Sequence, residues 1–120
     1  MMGVIIIMSF ISSITVVILL LLQRDGMTEE ERKDLYKRAI DTWGEEAQKF
    51  MVMEETGEML NALAKTRRNR STAQEVITEL VDVWILMEQM AIIYGYDEFV
   101  EEKERKLKKL LDKLNNVTEK

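Results

Sequence analysis

The chain has 120 residues, room for one domain with a modest core. It contains no proline and five glycines, a composition that favours long helices with short connections. Cysteine and histidine are both absent, which excludes disulfides, thiolate chemistry, zinc–histidine sites and Ser-His-Asp triads. The formal net charge of −5 at pH 7 argues against nucleic acid as a partner, because nucleic-acid-binding domains carry basic patches.

The first 26 residues differ in composition from the remainder. Residues 4–22 are a 19-residue stretch whose only polar side chains are Ser and Thr, long enough to cross a bilayer as a helix. Alternatively, Met27 is the true first residue, since a Thr-x-x-Glu capping box follows it directly. We therefore divide the chain into an apolar N-terminal segment, 1–26, and a domain over 27–120. The segment is interpreted as a mis-assigned start, which makes the protein cytoplasmic, with a membrane anchor or a buried core helix as the alternatives.

Caps and apolar periodicity predict four helices in this domain. The first covers about 28–42, and Gly44 separates it from a second helix over about 45–68. The inward positions of the first helix are Leu35, Ala39 and Ile40.

The third and fourth predicted helices are bounded by capping residues. Ser71 with Gln74 forms a capping box that opens the third helix. Gly95, suited to the left-handed position after a helix, ends it. Asp97 caps the last helix. The domain is therefore predicted to be all-α, with four helices packed as a bundle.

Two of these helices carry closely spaced acids. On the second helix, Glu54 and Glu55 both lie within one turn of Glu58. The third helix carries Glu79 and Asp82, again three residues apart. Like charges at these spacings repel, so each group costs stability unless a cation offsets the repulsion.

The acids of the third helix stand in apolar surroundings. Asp82 is the only polar residue in the run Leu80–Met87, which also holds Trp84, a residue expected in the core. A carboxylate in such a place must be protonated, paired or bound to a cation. Oxygen ligands from two helices suit Mg²⁺, or Mn²⁺, better than Zn²⁺. The residues alone thus predict magnesium-dependent phosphate chemistry and name no substrate.

The acidic motifs Glu54-Glu55-x-x-Glu58 and Glu79-x-x-Asp82, with 20 residues between them, resemble a known signature. It is the EExxE…ExxD pattern of the MazG-like all-α nucleoside triphosphate pyrophosphohydrolases, especially the small prokaryotic and phage proteins. The resemblance covers about Asp41–Leu111. It implies a four-helix MazG-like bundle completed by homo-oligomerisation as a dimer or tetramer. It also implies Mg²⁺-dependent hydrolysis of (deoxy)nucleoside triphosphates at the α–β phosphate bond, giving a nucleoside monophosphate and pyrophosphate.

The resemblance assigns roles to individual side chains. The implied Mg²⁺ ligands are four carboxylates, those of Glu55, Glu58, Glu79 and Asp82. Glu54 is implied as the catalytic residue, which binds a further metal or orients and deprotonates the attacking water. Lys103 and Lys106 match basic positions that contact phosphates. Trp43 and Gln48 precede the acidic block and are candidates to stack on, or hydrogen-bond with, the base.

A second interpretation is a non-enzymatic helical interaction protein, tethered to a membrane if residues 4–22 are an anchor. It accounts for the apolar N-terminus and for the highly charged last helix. It does not account for Asp82 within an apolar run. As an enzyme, the protein is expected to bind a nucleotide and further copies of its own chain, but no nucleic acid.

Overall fold

The computed structural model describes residues 13–20 and 26–118. All regular structure in these two ranges is helical, so the prediction of an all-α chain is confirmed for them. Residues 13–20 are one helical segment, and the rest of the apolar stretch over 4–22 lies outside the described residues. None of the described helices is long and apolar enough to cross a membrane.

Four further helices follow along the chain. They are α1 (Glu29–Trp43), α2 (Glu45–Thr66), α3 (Ala73–Tyr94) and α4 (Tyr96–Thr118). The chain divides into two compact units, Met1–Arg32 and Lys33–Lys120, so that α1 begins in the first and continues in the second. In the first unit, the Thr28 hydroxyl accepts a hydrogen bond from the Glu31 N–H at 3.1 Å, which caps α1 as its sequence predicts.

Helices α2 and α3 form the principal packed pair of the second unit. They run antiparallel: Gln48, near the start of α2, bonds to Gln89, near the end of α3, whereas Glu58 meets Glu79 closer to the connection. Asn69, with a φ of 57°, turns the chain between them. Asparagine tolerates this left-handed conformation better than most residues, which explains why α2 ends slightly before the predicted residue 68.

The cap of α3 lies one residue later than predicted. The Thr72 hydroxyl accepts from the Glu75 N–H at 3.2 Å, and the Glu75 carboxylate accepts from the Thr72 N–H at 3.3 Å, which completes a capping box. Ser71 instead donates its hydroxyl to Glu75 at 2.7 Å, so the predicted pairing with Gln74 is wrong. Both registers fit the motif, but a carboxylate is a stronger acceptor than an amide and suits the positive end of the helix.

Two glycines mark the helix junctions, as predicted. Gly44 has a φ of 93° between α1 and α2, and Gly95 has a φ of 135° between α3 and α4. Both values are unfavourable for residues with a side chain, so each glycine allows one helix to follow another without a loop. The cap predicted at Asp97 is wrong, because α4 already begins at Tyr96 and places Asp97 in its first turn.

The inward face of α1 differs by one position from the prediction. Tyr36 is only 5% exposed, whereas Leu35 is 42% exposed. Ala39 and Ile40 are partly buried, as expected. The larger aromatic side chain thus takes the interior position that the leucine was predicted to fill.

A single chain buries few apolar side chains among its described residues. The buried ones are Tyr36, Ala62, Leu86 and Ala91. Trp84, predicted in the core, is 46% exposed, and Phe50 on α2 is 68% exposed. The prediction that Trp84 lies in the core is therefore wrong for one chain, because only one face of α3 packs against α2.

The α3 cap provides a test of this part of the fold. We expect Thr72→Ala to lower the free energy of unfolding by about 1 kcal/mol, because the Glu75 N–H loses its acceptor. Thr78→Ala is the matched control: its hydroxyl bonds to the Gln74 carbonyl inside the same helix, where alanine is the better helix former. Urea denaturation at fixed protein concentration measures both variants. Equal stability of the two would contradict the capping box.

Candidate metal centre

The antiparallel packing of α2 and α3 brings the predicted metal ligands together. Carboxylate oxygens of Glu55 and Glu58 on α2 and of Glu79 on α3 all lie within 4.8 Å of one another. Asp82 lies close enough to raise the pKa of Glu55 and of Glu79 through its negative charge. These four residues are called the carboxylate cluster below.

Two members of the cluster are half-buried and have an unpartnered oxygen. One oxygen of Glu55 and one of Glu79 are shielded from solvent, and within the described part of the chain neither accepts a hydrogen bond. No Lys or Arg of that part forms an ion pair with any of the four carboxylates. A shielded oxygen without a partner costs free energy, so the site favours a bound proton or a bound cation.

The electrostatics of the cluster agree with this geometry. Burial raises the pKa of Glu55, and the neighbouring carboxylates of Glu58, Asp82 and Glu79 raise it further. Burial likewise raises the pKa of Glu79, with added contributions from Glu58 and Asp82. Each carboxyl therefore holds its proton more tightly than in the unfolded chain.

An open cleft adjoins the carboxylate cluster between α2 and α3. Its volume is about 610 Å³. The residues lining it are Trp43, Ala47, Gln48, Met51, Glu55, Asp82, Ile85, Leu86 and Gln89. The two predicted base-binding residues thus share one cavity with two of the predicted metal ligands.

Three other predicted site residues lie elsewhere. Glu54 is an exposed residue of α2 and belongs neither to the close group of carboxylates nor to the lining of the cleft. Lys103 and Lys106 line a shallow groove along α4 with Phe99 and Leu110. Within the described residues of one chain, the structure does not bring these two lysines to the carboxylate cluster.

Gln89 lines the cleft and was not predicted as a site residue. It is 4% exposed and receives a hydrogen bond from the side chain of Gln48, which is 5% exposed. A signal was present in the sequence, since Gln89 follows Asp82 by seven residues, two turns along the same face of a largely apolar helix. Only the register of α2 against α3 shows that this position faces Gln48.

No protein-family model, curated protein or solved structure matches this chain. The resemblance to the MazG-like pyrophosphohydrolases therefore rests on the acidic motifs, their spacing and their order along the chain.

The donor set of the cluster fits Mg²⁺ or Mn²⁺. It consists of carboxylate oxygens alone, the ligands that these hard cations prefer. The unpartnered oxygens of Glu55 and Glu79 are donors that a cation would satisfy. The cluster adjoins an open cleft, which leaves room for waters or substrate oxygens to complete an octahedral shell.

The raised pKa values predict a characteristic pH dependence of stability. Because the folded chain binds protons at Glu55 and Glu79 more tightly than the unfolded chain, metal-free stability should fall as pH rises from the ordinary value of 4.5 through the raised values. Mg²⁺ should reverse the loss at neutral pH by binding the folded state. Thermal denaturation across pH, with Mg²⁺ or with EDTA, measures both effects.

Substitution of a cluster residue provides the control for that measurement. Glu55→Gln should flatten the metal-free pH profile and remove the stabilisation by Mg²⁺. Glu101→Gln, a neutralisation at an exposed position of α4, should leave both unchanged. The metal site is contradicted if Mg²⁺ stabilises Glu55→Gln as much as the natural chain.

Proposed function

We propose that this protein is a Mg²⁺-dependent nucleoside triphosphate pyrophosphohydrolase. In this proposal it cleaves (deoxy)nucleoside triphosphates between the α and β phosphates, giving a nucleoside monophosphate and pyrophosphate. The observation that carries the proposal is the convergence of unpaired carboxylates from α2 and α3 beside a largely apolar cleft. A triphosphate with a flat base needs both features, a cation site for its charges and an apolar surface for the base.

The proposed division of roles follows the positions of the side chains. The residues that would hold Mg²⁺ are Glu55, Glu58, Glu79 and Asp82. The triphosphate is negatively charged, and the chain itself carries a net charge of −5. The bound ion would supply the positive charge that neutralises the phosphates. Trp43 lines the same cleft and precedes Glu55 in the sequence. It would offer a flat apolar surface to the base.

The attacking water needs a base and an orientation. Glu54, which is adjacent to the proposed metal ligand Glu55 on α2, is proposed as this base. In one chain its exposed carboxylate lies outside the lining of the cleft. The water oxygen bonds to the α phosphorus, the bond from that phosphorus to the bridging oxygen breaks, and pyrophosphate leaves. Lys103 and Lys106 are proposed to contact phosphates only if a second copy of the chain brings α4 to the cleft, because their own chain does not.

We further propose that the chain works as a homodimer or homotetramer built on a MazG-like four-helix bundle. The support is the large number of exposed apolar side chains on α2 and α3. Phe50, Met53 and Leu60 form one exposed stripe on α2, and Trp84 and Ile77 are exposed on α3. Surfaces of this kind on a small chain are typical of subunit interfaces. In this proposal the enzyme is cytoplasmic.

The same exposed surfaces favour the second candidate, a helical interaction protein without activity. The two candidates differ at the carboxylate cluster. The interaction-protein candidate gives no reason for the shielded, unpartnered oxygens of Glu55 and Glu79, and it predicts no stabilisation by Mg²⁺.

Product analysis tests the proposed reaction. With Mg²⁺, the full chain should release labelled monophosphate from α-labelled nucleotides and labelled pyrophosphate from γ-labelled ones. Glu58→Gln should reduce kcat/KM by about a hundredfold or more, because it removes a charge that holds the ion where negative charge accumulates. Release of orthophosphate as the first product would contradict cleavage at the α–β bond.

Sedimentation equilibrium tests the proposed assembly. The expected mass is two or four times the chain mass of 14.1 kDa, since burial of the exposed stripes on α2 and α3 stabilises the assembly. A 14.1 kDa species throughout the micromolar range, in a folded sample, would rule the assembly out.

A further inference from the structure

Two polar side chains are buried among the described residues, and they are bonded to each other. They are Gln48 of α2 and Gln89 of α3, 5% and 4% exposed. The Nε2 of Gln48 donates to the Oε1 of Gln89 at 2.5 Å. Both line the cleft whose other end is formed by Glu55 and Asp82. Buried amides are costly unless they form hydrogen bonds, and this pair meets part of that requirement internally.

The hydrogen bond within the pair leaves one amide oxygen and one amide nitrogen without a partner among the described residues. Each primary amide has an acceptor oxygen and a nitrogen with two donors. Within the described chain, the Oε1 of Gln48 and the Nε2 of Gln89 have no side-chain or backbone partner. The pair therefore offers one acceptor and one donor, side by side, to whatever occupies the cleft.

The register of α2 against α3 sets the distance between the two unpaired amide atoms and the carboxylate cluster. Gln48 precedes Glu55 by seven residues, and Gln89 follows Asp82 by seven residues on the antiparallel helix. Seven residues are two turns, so amides and carboxylates share a face and lie about 10 Å apart along the helix axes. That separation matches the extent of a nucleotide from its α phosphate to the outer edge of its base.

We propose that Gln48 and Gln89 act as one unit that binds the hydrogen-bonding edge of the nucleobase. The nature of the ligand rests on the proposed function. Each standard base presents a donor beside an acceptor on this edge, the complement of what the pair offers. The apolar side chains of Met51, Ile85 and Leu86 also line the cleft and offer apolar contacts to the faces of a bound base.

The pair can bind bases with either arrangement of donor and acceptor on their hydrogen-bonding edge. If both amides rotate by half a turn, Gln89 donates to Gln48, and the outward acceptor and donor exchange places. One state suits adenine and cytosine, which carry an amino group at purine C6 or pyrimidine C4. The other suits guanine and thymine, which carry an oxygen at that position. Binding of all four bases with similar affinity follows from this symmetry.

Replacement of Gln89 tests the pair by equilibrium binding of the product monophosphates, which requires no turnover. Gln89→Met keeps the shape and removes the amide. It should weaken the binding of dAMP, dCMP, dGMP and dTMP about ten- to a hundredfold in the presence of Mg²⁺. Binding of 2-deoxyribose 5-phosphate, which has no base, should not change. Gln74→Met, the same change at an exposed position of α3, should alter neither.

Gln89→Glu gives a sharper result. The introduced carboxylate still accepts from Gln48, so the pair now presents two acceptors and loses its outward donor. Guanine has two adjacent donors on this edge and thymine has one, so the ratio of dGMP to dTMP affinity should rise about tenfold or more. The added negative charge weakens both ligands equally and leaves the ratio unaffected.

The outcomes separate this inference from the proposed reaction. Base-dependent binding that these variants change, in a chain that releases no pyrophosphate, would support the pair and refute the reaction. Pyrophosphate release together with Gln89 variants that bind all four monophosphates as the natural chain does would refute the pair and leave the reaction standing. Equal affinity of the natural chain for the monophosphates and for 2-deoxyribose 5-phosphate would overturn the pair outright.

Discussion

The antiparallel register of α2 against α3 is the constraint on which the rest of the structure depends. It sets Glu55 beside Asp82, Glu58 beside Glu79 and Gln48 beside Gln89. A slip of one residue would rotate one partner of every pair by about 100° and separate all three. The apolar positions between these pairs stabilise the register, whereas the carboxylate pairs repel each other.

The packing of the two helices is therefore opposed by the groups that it brings together. The carboxylates repel one another and two of their oxygens are shielded without a partner, which works against folding in the absence of a cation. Buried apolar side chains such as Leu86 and Ala62 oppose this cost, and the described residues of one chain contain few of them. Strain of this kind at one place, compensated elsewhere, is typical of functional sites.

Much of the architecture could be predicted because it is encoded locally. Helix junctions at Gly44 and Gly95 follow from backbone conformations that glycine favours, and spacing along each helix predicts which acids share a face. The errors arise where two registers are both acceptable locally. Ser71 with Gln74 and Thr72 with Glu75 both fit a capping motif, and the carboxylate of Glu75, a stronger acceptor than an amide, decides for Thr72.

The site was predictable in part for the same reason. Acids at helical spacing identify a cluster within each helix, but the meeting of Gln48 with Gln89 depends on a pairing 41 residues apart that no local pattern specifies. Trp84 shows a further limit. An apolar run predicts burial, yet a sequence does not tell whether its own chain or another molecule covers it, and in one chain Trp84 stays half exposed.

The short connection between α2 and α3 has a consequence for the order of folding. A helical hairpin with mostly local contacts closes from its turn outward, because nearby residues meet at the lowest loss of chain entropy. Glu58 and Glu79 then meet before Gln48 and Gln89 do. The repulsion between the carboxylates therefore raises the free energy of the partly folded hairpin before the contacts far from the turn have formed. If the cluster binds Mg²⁺ as proposed, the ion should accelerate refolding as well as slow unfolding, and stopped-flow kinetics would measure the two rates separately.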